Sequence, residues 1–316
     1  MHMHMRVAAV LGCVAALAMV GCSTNSGMTP VGSATQSQSA SHSFSGPGWH
    51  SENGVLFHTP HYMVTRQNAN HGKRGDVSLS YGGGPVLVAP KVYIILWGYK
   101  QYGDSDKVAK LLKKYVKAEG GSSFDNTVTQ YYMTSNGSNI NITNPSNQLG
   151  GIWDDEGNAV PAHPTDAQVA AEALNGVTHF GYDAGGSYVV ATPHGHSSIG
   201  FGSSWCAYHS NTVYNNQYVA YTNLPYMPDA AGNCGASIIS APKDEPAVDE
   251  GVTIVEGHEY AESETDPTPF SGWNSAFGEI GDLCAWYDIA NDNFGKKQFT
   301  MQPMWSNASG SCVHGM

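Results

Sequence analysis

The sequence predicts an α/β or α+β fold: one domain with a mixed sheet, backing helices and a late helix. Three observations predict it. An apolar, β-branched run from Val92 to Trp97 follows a Gly-Gly-Gly-Pro turn and reads as a buried strand. Strand and helix patterns then alternate along the chain instead of segregating. The last stretch that can be helical, 246–264, with Pro246 in its first turn and Pro267 as its stop, lies inside a block of acidic residues.

The elements follow in order. Arg6 and the apolar run Val7 to Val20 form a signal peptide over 1–21, too short for the roughly 20 residues of a spanning helix. Met19-Val20-Gly21-Cys22 resembles a lipobox, which makes Cys22 the lipidation site and predicts an exported lipoprotein anchored to a membrane. Residues 22–48, rich in Ser, Gly, Thr and Gln, read as a flexible tether, and 49–78 as an N-terminal extension. The globular domain is assigned to 79–316. Val86 to Val88 and Val92 to Trp97 are expected strands. Asp106 to Lys117 is an amphipathic helix with Val108, Leu111, Leu112 and Tyr115 on one face. A short helix over Phe124 to Tyr132, an exposed strand at Ile140 and Ile142, and a capped helix over Thr165 to Leu174 come next. Ser187 to Thr192 and Gln217 to Thr222 complete the strands. Cys206, Cys234, Cys284 and Cys312 allow three pairings; the local ones, Cys206 with Cys234 and Cys284 with Cys312, are expected in an oxidising compartment.

Charge excludes some functions and locates another. Fourteen Lys and Arg against 26 Asp and Glu, a net charge of -12, supply too few bases for a nucleic-acid surface. Thirteen of the 26 acids fall between Asp244 and Gly295, where no Lys or Arg occurs. Apolar residues such as Val252, Ile254, Val255 and Ile280 are interleaved with them. Carboxylates buried without bases need another cation or raised pKa values.

Within this block, Gly257-His258-Glu259-Tyr260-Ala261-Glu262 has the spacing of the zincin motif H-E-x-x-H with glutamate in the last place. On a helix, His258 and Glu262 share a face at i and i+4 and can hold one cation. Glu259, one residue round, is placed to act as general base toward water. Asp282 is the expected third ligand, with Glu279 in reserve; Gly278 and Gly281 permit close backbone approach. Zinc fits these donors, and calcium is the alternative cofactor. Gly251 and Gly257 each cost this helix roughly 1 kcal/mol, so packing must hold it. Elsewhere, His194 and His196 read either as a metal pair or as solvated loop residues. His209 reads as a structural histidine, with ligation or transition-state donation as alternatives. Tyr260 and Tyr287 are candidate oxyanion donors. No nucleophile elbow, Walker loop or dinucleotide fingerprint is present.

Ser80-Tyr-Gly-Gly-Gly-Pro85-Val-Leu, Lys91 to Gly98, HEYAESETDP, EIGDLCAW and Gln302 to Asn307 resemble the phosphate-induced protein 1 (EXORDIUM-like) family and its bacterial relatives over about 79–316. That resemblance implies a cell-surface protein. The plant branch lacks the His-Glu motif, so the resemblance alone implies no reaction. The leading expectation is a tethered zinc hydrolase, metallopeptidase-like, acting on a peptide or cell-surface polymer. The rival is a non-catalytic binding protein with a structural calcium or zinc. A glycosidase is disfavoured, since carboxylates on one helix face do not flank a sugar bond.

Overall fold

In the computed structural model, which describes residues 44, 46–69 and 77–316, eight strands share one mixed sheet. They are β1 (Trp49–Glu52), β2 (Val55–His58), β3 (His61–Val64), β4 (Lys91–Trp97), β5 (Leu149–Asp155), β6 (Gly186–Ala191), β7 (Trp205–Tyr214) and β8 (Gln217–Leu224). The order is β1-β2-β7-β8-β6-β4-β5, with β3 also on β7. Strands β5, β4, β6 and β8 run parallel, and the antiparallel half begins at β7. The signal run, Cys22 and nearly all of the tether lie outside the described residues.

Helices cover both faces, as a parallel sheet requires. Val92, Ile94 and Leu96 of β4 join one core, with α1 (Val108–Glu119) and α3 (Glu250–Thr265). Ile95 and Trp97 join the other, with α2 (Asp166–Phe180). The period-2 alternation of a single strand thus divides the core into two layers. Asp104 caps α1 by accepting from the Val108 and Ala109 amides at 2.7 and 3.1 Å. Thr165 and Gln168 form a capping box at the start of α2.

Several expectations change in detail. Val86 to Val88 forms no strand; Pro85 and Pro90 bracket it, and it crosses instead to α3, where the Leu87 amide donates to the Glu264 carbonyl at 2.9 Å. The short helix ends at Gln130, and the exposed hairpin strand is Ser138–Asn141, with Ile142 buried just beyond it. Helix α2 continues past Leu174 to Phe180. A Cβ at 176 would overlap Ile95, so Gly176 lets the helix close on the sheet. Residues 49–64, assigned to an extension, supply β1, β2 and β3. Both disulfides, Cys206–Cys234 and Cys284–Cys312, form as expected.

Helix α3 occupies the expected stretch, entered through a tight turn at Ala247–Asp249 and ended before Pro267. All 16 of its residues are buried. Its two glycines are where neighbours press closest. A Cβ at 251 would overlap the Cys234 carbonyl, and one at 257 would lie 2.5 Å from Met301 Cε and 2.6 Å from Tyr115 Oη. Gly251→Ala should therefore destabilise the protein despite alanine's roughly 1 kcal/mol helical advantage. Overpacking against backbone of about 1–3 kcal/mol sets the expected sign; denaturant unfolding measures it, and a gain in stability would contradict the packing described.

Candidate metal centre

The register of β3 on β7 builds half of the site. His61 and His209 are direct cross-strand partners, so both imidazoles stand on one face of the sheet, with ring centroids 5.5 Å apart. That face meets α3. The helix presents His258, Glu259 and Glu262 toward it, and the loop before the second disulfide adds Glu279 and Asp282. The structure thus brings together every residue singled out by the His-Glu motif, both downstream carboxylates, and two further histidines.

The spacings run from 2.6 to 4.0 Å. His258 Nε2 lies 3.1 Å from Glu262 Oε1 and 3.7 Å from Asp282 Oδ1. His209 Nδ1 lies 3.3 Å from Glu259 Oε2 and 3.4 Å from Glu262 Oε2, while its Nε2 lies 3.5 Å from Glu279 Oε2. His61 Nδ1 is 3.6 Å from Glu279 Oε1, and its Nε2 is 2.6 Å from Asp282 Oδ2. Two ligands of a tetrahedral zinc, each about 2.0–2.1 Å from it, are separated by about 3.3–3.4 Å. Most pairs here sit near that value. Among the described residues, His209 Nε2, His258 Nε2, Glu259 Oε1, Glu262 Oε2 and both Glu279 oxygens are buried without a hydrogen-bond partner. Buried polar atoms are rarely left so.

The loop approaches closely because it can. A Cβ at Gly281 would lie 2.6 Å from His258 Nδ1, and Gly278 has φ +119° with Asp282 folded against it. The Asp282 amide donates to Glu262 Oε1 at 3.1 Å. Gln302 fixes the other side of His258: its Nε2 donates to the Gly281 carbonyl at 2.9 Å and to His258 Nδ1 at 3.0 Å. Its Oε1 accepts from the Trp286 amide at 3.4 Å, so reversing the amide would lose these bonds. Neutral His258 therefore carries its hydrogen on Nε2, facing Glu262.

Burial opposes charge on His61, but the hydrogen bond and charge of Asp282 outweigh it and push His61 up to about 9. Burial holds His209 below the usual histidine range despite Glu262. Burial, then the charges of Glu262 and Asp282, raise Glu259 well above the carboxylate range. Solvent reaches the cluster at the edges of His61 and Asp282, whose side chains are 13% and 15% exposed, beside the outward ring of Phe270.

The other sequence candidates lie elsewhere. His194 pairs with Asp229 at 2.5 Å on an exposed loop, and His196 packs on Tyr102. Neither enters a metal-compatible group among the described residues. Tyr260 is buried and donates to Gln148 Oε1 at 2.9 Å, and Tyr287 is exposed. His61 escaped the sequence reading because its short strand carries no motif, and only the long-range register places it. His209 was read as structural; it belongs to the cluster. Compared with family profiles, curated proteins and solved structures, the chain matches none.

The opposite face of α3 meets the other condition for buried acids. Glu256 and Glu264 are buried there near Glu119 and Asp125, with Gln148 Nε2 donating to Asp125 Oδ2 at 2.7 Å and Tyr115 to Glu119 Oε1 at 2.6 Å. Burial pushes Asp125 up to about 7 and Glu256 up to about 8. The folded state thus holds protons that the unfolded chain, with ordinary carboxylates, has released. Stability from these groups is full below the unfolded carboxylate range and is lost as pH rises toward 7 and 8. The melting temperature should fall by several degrees from pH 5 to 8, at about 2–4 °C per kcal/mol. Glu256→Gln should flatten that fall; an unchanged slope would contradict the assignment.

Proposed function

We propose that the chain is an exported, lipid-tethered hydrolase whose buried centre holds a divalent metal, zinc by its donor set. The observation that carries this reading is the pair of groups His61, Glu262, Asp282 and His209, Glu262, Glu279, whose ligand atoms lie within 4.8 Å of one another, with His209 Nε2, Glu262 Oε2 and both Glu279 oxygens buried and without a hydrogen-bond partner. Glu262 and Asp282 keep the ligand roles expected from sequence. Gln302 gives His258 a positioning role, with its Nε2 hydrogen toward Glu262, so His61 and His209 are the imidazole donors. The cation supplies Lewis acidity, which acidifies water and polarises a carbonyl. Glu259 holds one oxygen against His209 and keeps Oε1 unpaired, and its raised affinity for protons suits a general base. The two disulfides favour export, and with the signal run and Cys22 they support an envelope lipoprotein. Peptides are the favoured substrates by the motif's likeness to zincins; kinship with the EXORDIUM-like family belongs to the same proposal.

A second reading has its own support. Near-complete burial of the cluster favours a structural ion in a non-catalytic surface protein. Two imidazole donors, His61 and His209, argue against calcium, which prefers oxygen ligands. Elemental analysis of the purified protein and a screen of peptide substrates separate the two. Glu259→Gln should keep bound zinc and lower hydrolysis by about a hundredfold or more. Full activity in that variant would remove Glu259 as base, zinc without hydrolysis would select the structural reading, and absence of metal would overturn both.

A further inference from the structure

We propose that the centre takes two divalent cations bridged by Glu262. The inference rests on reading the cluster as a metal site and adds a second ion to it. Two donor groups exist, and they share Glu262 alone. One comprises His61, Asp282 and Glu262; the other comprises His209, Glu279 and Glu262, and within each group the ligand atoms lie within 4.8 Å of one another.

Charge favours two ions. Glu259, Glu262, Glu279 and Asp282 bring four carboxylates together whose described ion-pair partners are histidines, while a fifth nearby, buried Asp266, has Oδ1 held by the Ser271 and Gly272 amides. One dication would leave two negative charges uncompensated unless protons took its place, and unpaired buried charge is costly. Two dications balance all four. Donor number agrees, since a single tetrahedral zinc uses four ligands and this cluster offers more side chains than that.

The unpartnered atoms fall where a second ion needs them. His209 Nδ1 faces Glu259 Oε2 at 3.3 Å, which leaves Nε2 turned to Glu279 without a hydrogen bond. That is the arrangement of a ligating imidazole whose other nitrogen donates to a carboxylate. Both Glu279 oxygens are buried and unpartnered. Glu262 belongs to both groups, and its buried, unpartnered Oε2 lies 4.0 Å from His61 Nε2.

The test is metal stoichiometry. The full-length protein, stripped with chelator and dialysed, is titrated with zinc by calorimetry and assayed by elemental analysis. Two zinc ions per chain are expected, falling to one in Glu279→Gln and in His209→Ala, with circular dichroism checking the fold of each. Loading with manganese should give the electron paramagnetic resonance signature of a spin-coupled pair, which does not depend on any variant folding. One ion per chain with an uncoupled manganese spectrum would overturn the bridged pair and leave the single-metal reading standing. No bound metal would overturn both, and two ions retained in Glu279→Gln would place the second ion elsewhere.

Discussion

Burying an acid-rich helix is the constraint on which the rest of the structure depends. Helix α3 carries five glutamates, and each is at most 1% exposed. Ionised and unpaired, each would cost several kcal/mol. The fold answers each one separately. Glu250 accepts from the Ile238 amide at 2.8 Å and from Thr300. Glu256 and Glu264 are raised toward neutrality, and Glu259 and Glu262 turn to the histidines. One helix therefore separates a proton-holding face from a face suited to cations.

The sheet's strand order follows from the same requirement. Strand β7 is the antiparallel partner of β3, and this pairing sets His61 opposite His209. A slip of β3 by one residue would turn His61 to the other face of the sheet and remove it from the cluster. The segment 49–64 is thus part of the site's construction.

Close approach matters as much as charge. Gly251 and Gly257 let α3 sit against Cys234, Tyr115 and Met301, and Gly281 lets the late loop reach His258. The Cys284–Cys312 bridge begins two residues after Asp282 and holds the loop to the C-terminal hairpin. Gln302 joins that loop to His258 through two hydrogen bonds. Positioning here comes from backbone contact, which Gly278 and Gly281 signal in the sequence without telling which residue they meet.

Much was determined by the sequence itself. Periodicity located α1, a continuous apolar run located β4, and Pro246, acids in the first turn and Pro267 bounded α3, since each of these signals is local. The uneven distribution of acids located the centre, because carboxylates among apolar residues must meet a cation or a proton. The i, i+4 spacing of His258 and Glu262 is likewise local geometry. Tertiary structure decided what depends on distant partners. It brought His61 and His209 into the cluster through strand register. It gave His258 its hydrogen-bonding direction through Gln302, and it divided the acidic block into two faces of one helix. Sequence can state that buried charge must be compensated; only the packed chain decides which groups face each carboxylate.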